Sequence, residues 1–348
     1  VKFGDYYWRI IRIDDNGDVR LIYNGTSTTS SGSDSIIAGA NYNNYIGDAA
    51  YVGYMQPEAP SKYISGISSN RNWWSTSNST EIKMSKSYSF DETTGRYTLT
   101  GDIINGSYTD DYIGYYTCLS TSTTSNCDYL VQIVTTDLDE NNKHRIKTCK
   151  IVSAHYTTSK EQTGNNLIDS QVKAKNDSWF KNNMTSILDK ISTNAGYCNN
   201  RTSIDKDGGV GNNQTRFSSY SRNMINKLPS YKCKNESNDL FTTIINDLGN
   251  KKLSQPVGMI SGDEVAYAGG LIYEYNFNYY LQGGYAFWTM SPSYFSGGLT
   301  GAFSINSLGF FSDSAVHNIN GIRPVIALNS KAIVTSGDGS LANPYIVE

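Results

Sequence analysis

The sequence predicts an α+β protein rich in short strands and irregular loops. Three observations carry this. The chain opens on two alternating β-rich runs around a turn dipeptide. Its middle holds apolar residues at helical spacing. From Tyr273 onward it returns to short strand-like runs broken by glycines. Strands, then helices, then strands again is the order expected of α+β folds.

The opening runs, "YYWRIIRI" and "VRLIY", flank Asn16-Gly17. Asn-Gly supplies the positive φ that a tight hairpin needs. Residues 24–50 are rich in Ser, Thr, Gly and Asn and predict a long loop, and "YVGYM" at 51–55 a short strand. Trp73 and Trp74 read as packing residues. "GRYTLTG", "YIGYYTC", "DYLVQIVTT" and "HRIKTCKIV" are four strand-like runs at hairpin spacing. They predict an inserted β-rich subdomain over 85–158, between an N-terminal part at 1–84 and the remainder at 159–348. Inside it "DLDENN" has alternate carboxylates. It lacks the sixth-place Gly and twelfth-place Glu of a calcium loop and reads as a solvated turn.

Helical periodicity follows. Phe180, Met184, Ile187, Leu188 and Ile191 share one face at 3.6-residue spacing, with Ile168, Val172 and Trp179 extending it upstream. "SNDLFTTIINDLGN" predicts a second helix, capped at Ser237 or Asn238, with Leu240, Ile244, Ile245 and Leu248 facing inward and Gly249 ending it. A third, short helix starts at Ser261. Glu264 stands at capping-box spacing, and Gly269-Gly270 stop the helix. The tail forms a hairpin around Gly337-Asp338-Gly339.

Composition narrows the function. Tyr occurs 27 times in 348 residues and Gly 31 times. Tyr and Thr suit half-buried strands, and Asn, Gly and Ser build turns; together they fit an extracellular β-rich protein. Net charge is −3, with no basic stripe for phosphate binding, so nucleic acid is not an expected partner. No apolar run approaches the ~20 residues of a membrane span. The chain begins inside a strand pattern, which places any export signal or membrane or pilus anchor upstream.

Five cysteines occur, none in C-x-x-C spacing. In an oxidising compartment Cys198 and Cys233 pair across a polar loop that would gain from a staple. Cys118 and Cys127 bracket "LSTSTTSN" and can close a hairpin. Cys149 is then left over, or it takes Cys118 instead. The alternative is five free thiols in a reducing compartment.

Catalytic signals are sparse. His144, His155 and His317 have no Cys, Asp or Glu at metal-ligand spacing, and no nucleophile elbow, Walker loop or dinucleotide fingerprint occurs. The reading is a non-enzymatic protein with no metal and no cofactor. The region that stands out is 273–322, whose Tyr, Phe, Ser, Gly and Asn content matches binding loops: rings give area at low rotamer cost and small polar residues adapt their hydrogen bonds.

Several stretches, in order, carry a resemblance: "YYWRIIRIDDNGDVRLIYNG", "AGYCNNR", "PSYKC", "NDLFTT", "VGMISGDEVAYAGG", "WTMSPSYF", "GIRPVIAL" and "SGDGSLANPYIV". This series resembles exported surface proteins of gut Firmicutes, whose members often carry a prepilin-type helix before such a domain. The W-x-x-S-P and G-[VI]-R-P-V-I patterns are similar to those of the irregular C-type-lectin-like fold of the formylglycine-generating-enzyme type. The resemblance implies paired termini, helices flanking a small sheet, and long loops displaying a ligand surface. It makes Trp288, Ser291, Pro292, Gly321, Arg323 and Pro324 framework positions, with Arg323 buried and hydrogen-bonded. No Cys follows Cys233, so the catalytic cysteines of formylglycine-generating enzymes have no match. The calcium-dependent sugar signatures of C-type lectins are also missing.

Ser291 to Ser330 contains no Lys, Glu, Gln, Met or Trp. Codons ending in a pyrimidine encode every residue except those five. In some proteins of this lectin-like fold a retroelement rewrites adenines in Asn codons and leaves that footprint. The resemblance implies fixed Gly309, Gly321, Arg323 and Pro324 beneath variable Tyr294, Ser296, Ser304, Asn306, Phe311, Asp313, His317, Asn318 and Asn320, with Tyr275, Asn276, Asn278, Tyr279 and Tyr280 on the same surface. The expectation is an extracellular, cell-surface, adhesin-like module, the variable protein of a diversity-generating retroelement. Its ligand would be a protein or glycan of host, bacterium or phage. A pilin-like structural subunit is the alternative.

Overall fold

The computed structural model describes residues 1–42, 52–56, 63–65, 81–85, 87–91, 96–100, 103–105, 113–114, 116–119, 129–138, 144–154, 166–204, 214–296 and 299–348. It is mixed helix and sheet, mostly strands with few helices, as the sequence predicts. Among the described residues no helix is long and apolar enough to cross a membrane.

The opening hairpin, Tyr6–Ile13 and Val19–Tyr23, turns at Gly17, whose φ is +85°. It lies inside a six-stranded sheet ordered Val325–Leu328, Val19–Tyr23, Tyr6–Ile13, Lys2–Phe3, Ile346–Val347, Val334–Ser336. The two ends of the chain meet here: Lys2 pairs with Ile346 and Phe3 with Val347, in parallel. The tail hairpin forms as predicted, with positive φ at Gly337 and Gly339.

A second sheet is ordered Phe311–Ala315, Leu299–Ile305, Phe287–Ser296, Asn320–Ile322, Ala38–Ala40, and Gln214–Arg216 also pairs with Phe287–Ser296. Its central strand slips register on both sides of Pro292, because proline has no N–H to give to the ladder. Trp288 is fully buried in this strand and donates Nε1–H to the Ala40 carbonyl at 2.7 Å. At Gly321 a Cβ would collide with Ile36.

The strands between residues 63 and 154 form their own six-stranded sheet, ordered Ile103–Asn105, Glu81–Ser85, Tyr116–Leu119, Tyr129–Leu138, His144–Ala154, Tyr63–Ser65, beside a hairpin of Ser87–Asp91 and Arg96–Thr100. All four strand-like runs of this region contribute a strand. The sheet also takes in Tyr63–Ser65 and Glu81–Ser85, which begin before residue 85. Trp73, Trp74, Cys127 and "DENN" lie outside the described residues, so the Cys118–Cys127 pairing does too.

The first predicted helix is Gln171–Asn183. Ser170 caps it by accepting from the Lys173 N–H at 3.1 Å. Phe180 is buried, and Ile187 and Leu188 follow in a 3₁₀ turn, Thr185–Lys190. The third is Gly262–Tyr267, with the predicted capping box: Ser261 Oγ accepts from the Glu264 N–H at 3.1 Å, and Glu264 Oε2 accepts from the Ser261 N–H at 2.9 Å. Glu264 Oε1 also meets Arg20 Nε at 2.9 Å and Arg12 Nε at 3.1 Å. Burial alone would raise the Glu264 pKa; the charges of Arg20 and Arg12 outweigh it and lower it. One carboxylate thereby caps a helix and ties it to the opening hairpin.

The second predicted helix does not form. Only Glu236–Asp239 is helical, capped by Asn235. Leu240–Phe241 is a strand against Tyr197–Cys198. Thr242 Oγ1 donates to the Leu248 carbonyl at 2.7 Å, Thr243 Oγ1 to Thr193 O at 2.6 Å, and Asn246 Nδ2 to Asn194 O at 2.6 Å. Such side-chain bonds compete with a helix for the backbone. Ile244, Ile245 and Leu248 consequently stand exposed rather than inward. The Cys198–Cys233 disulfide forms and staples this segment, with Cα atoms 5.6 Å apart.

Arg323 lies where the second sheet runs into the first. It is buried, with Nε donating to Tyr23 O at 2.8 Å, Nη2 to Asn24 Oδ1 at 3.0 Å and Nη1 to Leu281 O. Its guanidinium covers the Phe287 ring at 4.9 Å. Among the described residues no carboxylate pairs with it. Burial, reinforced by the charge of Arg9, pushes its pKa down to about 9, so it is charged at neutral pH. Replacing it removes three donors and strands their buried acceptors. Urea unfolding of Arg323→Leu is expected to show a loss of about 3 kcal/mol or more; a loss below about 1 kcal/mol would contradict this account.

Candidate functional site

The 271–284 loop is shaped by its own polar side chains. Asn276 Nδ2 donates to Gly269 O at 2.8 Å, and its Oδ1 accepts from the Asn278 N–H at 3.2 Å. Asn306 does the same in the facing turn, accepting from the Leu308 N–H at 2.8 Å and the Phe310 N–H at 3.0 Å. Both are turn builders, because an Asn carbonyl can stand in for a backbone acceptor. Gly309 joins the two loops. Its φ is +76°, and a Cβ there would collide with the Asn276 carbonyl.

This frame presents a connected set of rings. Phe277 and Tyr275 are nearly parallel, 10° between planes, with centroids 5.7 Å apart. Tyr275 contacts Phe310 at 4.7 Å, and Phe310 contacts Tyr273 at 6.2 Å. The Tyr273 hydroxyl donates to Asp313 Oδ1. Asp313 also holds Tyr294, which meets Tyr220 edge-on at 5.9 Å. Phe277 is 68 % exposed and Tyr275 55 %. Two large apolar-faced rings left in water need a reason.

Tyr273 carries backbone strain. Its φ is +55°, a region costly for a bulky side chain. Its N–H is fixed to Phe311 O at 2.8 Å, which holds the ring over the strand that carries Asp313. Burial, then the hydrogen bond to Asp313 and its charge, raises the Tyr273 pKa well above the ordinary value. Burial and the same carboxylate raise that of Tyr294.

The expected display residues divide. Tyr275, Asn278, Tyr280, His317 and Asn318 are exposed; Tyr294, Asp313, Asn276 and Asn306 are half-buried. Tyr275, Tyr294 and Asp313 belong to the ring set. Tyr280 stands apart, beside Arg9 at 5.9 Å. The His317 carbonyl takes Asn41 Nδ2 at 3.4 Å, and Asn318 binds Ser314 Oγ at 3.0 Å; both belong to a turn rather than to the rings. Four expectations are corrected. Tyr279, Ser304, Phe311 and Asn320 are buried. Phe311 packs against Phe303 at 5.2 Å, and Tyr279 belongs to the same core. Ser304 lies opposite Trp288 and Asn320 opposite Ala40, both inside the sheet. The Ser296 side chain is outside the described residues. Tyr273, Phe277, Phe310 and Tyr220 were missing from the expected set. The first three lie within the predicted 273–322 region, but contacts between loops selected them; Tyr220 has no signal in the sequence.

No protein-family model matches the chain, and no curated protein and no solved structure matches it.

Asp313→Asn removes the charge that opposes a second negative charge on these phenols. In an alkaline titration followed by tyrosine absorbance or ring NMR, Tyr273 and Tyr294 are expected to ionise at lower pH in the variant, closer to the ordinary value near ~10. Unchanged titration of both would separate Asp313 from the cluster.

Proposed function

We propose that the protein is an exported ligand-binding module, adhesin-like, whose binding face is the ring set Phe277, Tyr275, Phe310, Tyr273 and Tyr294 around Asp313. The carrying observation is the pair of near-parallel, exposed rings at Tyr275 and Phe277 on a loop braced by Gly309 and Asn276. Binding on such a face draws on ring area already ordered before the partner arrives. The Cys198–Cys233 disulfide is compatible with an extracellular setting. A C-type-lectin-like frame is part of the reading; paired termini and a buried Arg323 are what the resemblance implies, and both occur.

A pilin-like subunit is the second reading, favoured by exposed Ile244, Ile245 and Leu248, which could form subunit contacts. One experiment separates the two. The whole chain and a Tyr275→Ala/Phe277→Ala variant are screened against arrays of cell-surface glycans and exported proteins, with light scattering over a concentration series. Binding by the wild type and loss of about tenfold or more in the variant, at unchanged Tm, is expected; each ring anchor contributes on the order of 1–2 kcal/mol. Array binding that the variant retains, or assembly abolished by Ile244→Ser/Ile245→Ser, would move the function elsewhere.

Retroelement diversification of the C-terminal segment belongs to the same proposal. Ser304, Phe311 and Asn320 are core positions, so tolerated variation narrows to accessible Tyr294, Asn306, Asp313, His317 and Asn318. Sibling genes from one strain are expected to differ mainly at these codons. Substitutions spread evenly over 1–348, with no adjacent reverse transcriptase gene, would remove this part of the reading.

A further inference from the structure

We infer that Arg9, beside the display loop, takes a carboxylate: the Asp or Glu side chain of a protein partner, held by the Nε and Nη2 edge of the guanidinium next to the exposed Tyr280 ring. The inference rests on the binding-face reading and adds the charge of the ligand.

Unused donors are the first argument. Arg9 Nη1 donates to the Tyr280 carbonyl and, at 2.9 Å, to the Gln282 carbonyl. Arg9 Nε and Nη2 have no partner among the described residues, and the side chain is half-buried rather than shut away. A guanidinium gripped at one nitrogen keeps a planar fork of donors, and that fork matches the two oxygens of a carboxylate.

Uncompensated charge is the second. Arg323 Nη1 donates to the Leu281 carbonyl, between the two carbonyls that Arg9 takes. Two guanidiniums thus hold three consecutive residues of the loop. Every acceptor of Arg323 is neutral, and among the described residues neither arginine pairs with a carboxylate. Their repulsion is felt at Arg323, whose pKa is lowered by burial and then by the charge of Arg9. Glu264, whose charge reaches neighbouring Tyr279, is already held by Arg20 and Arg12. An anion arriving at Arg9 relieves that repulsion.

An unused hydroxyl is the third. Tyr279 is buried, and its hydroxyl has no hydrogen-bond partner among the described residues. It lies in the field of both Arg323 and Arg9. Buried hydroxyls are rarely left so. The locality is rich in donors and short of acceptors, which suits a ligand that only accepts.

The surroundings favour a protein as the source of the carboxylate. Arg9 lies 5.9 Å from the centre of the Tyr280 ring, and Tyr275, Phe277 and Tyr280 stand exposed in one loop. Exposed aromatic rings beside an arginine are the composition of protein–protein hot spots.

The test uses the whole chain, with NMR of arginine Nε–H and tyrosine ring signals. The probes are acetyl-glutamate amide, acetyl-glutamine amide as the uncharged match, glucuronate and sulfate. Saturable shifts of the Arg9 and Tyr280 signals are expected with glutamate and not with glutamine, at an affinity no weaker than that of glucuronate or sulfate. Glutamate affinity is expected to fall about tenfold in Arg9→Gln and to weaken with added salt. A smaller fall is expected in Arg9→Lys, which keeps the charge and loses the fork. Should Arg9→Gln fail to fold, Arg9→Lys and the wild-type probe series still decide. Equal binding of glutamine, salt-independent binding, tighter binding of glucuronate or sulfate, or no shift with any probe overturns the assignment. If Tyr275→Ala/Phe277→Ala abolishes array binding while Arg9→Gln does not, the face stands and the carboxylate falls. If neither variant changes array binding, the face itself is wrong.

Discussion

A single buried guanidinium holds the architecture together. Arg323 bonds the end of the opening hairpin at Tyr23, the adjoining Asn24 side chain and the display loop at Leu281, and it covers Phe287 in the central strand of the second sheet. Taking a charge out of water is expensive, and only good geometry with satisfied donors repays it. Tyr23 and Asn24 lie about 300 residues before Arg323 in sequence, and Leu281 lies 42 before it. The arginine is satisfied only when the hairpin, the loop and the strand are all in place. That couples the loop carrying the rings to the stiffest part of the molecule.

Immediately after Arg323, Pro324 gives its carbonyl to the Tyr23 N–H at 2.9 Å, and Val325–Leu328 joins the hairpin sheet. Asn320–Ile322, just before it, belongs to the second sheet. The chain passes from one sheet to the other through one dipeptide. Glu264 makes a parallel link, capping its helix while pairing with Arg12 and Arg20 of the hairpin. The loop 271–284 follows that helix directly. Both ends of the display loop are therefore referred to the opening hairpin, one through Glu264 and the other through Arg323. A rigid base of this kind lets a loop present rings without paying ordering entropy when a ligand arrives.

The face itself is local in construction. Two asparagines shape facing turns, one glycine lets the turns touch, and one strained tyrosine is held over a strand by its own N–H. Strain at Tyr273 is tolerated because the surrounding hydrogen bonds overdetermine its position. Asp313 gathers the hydroxyls of two tyrosines and keeps them protonated, since a phenolate beside a carboxylate would set like charges together.

Sequence alone determined the features whose cause is local. The Asn16-Gly17 hairpin, the Ser261–Glu264 capping box, the helix stop at Gly269 and the four strand runs before residue 155 each follow from a few adjacent residues, and each occurs. The pairing of Cys198 with Cys233 was legible because each flanks a polar stretch with little core of its own. Tertiary structure decided the rest. The apolar periodicity at 240–248 promised a helix, but Thr242, Thr243 and Asn246 found backbone partners elsewhere, and Ile244 and Ile245 went to the surface. Composition marked 273–322 as a display region but could not sort its rings. Tyr275 and Tyr279 are four residues apart in the same loop, yet one is in water and the other in the core. An irregular loop has no period to assign faces, so only its contacts with Gly309, Phe310 and Arg323 could choose.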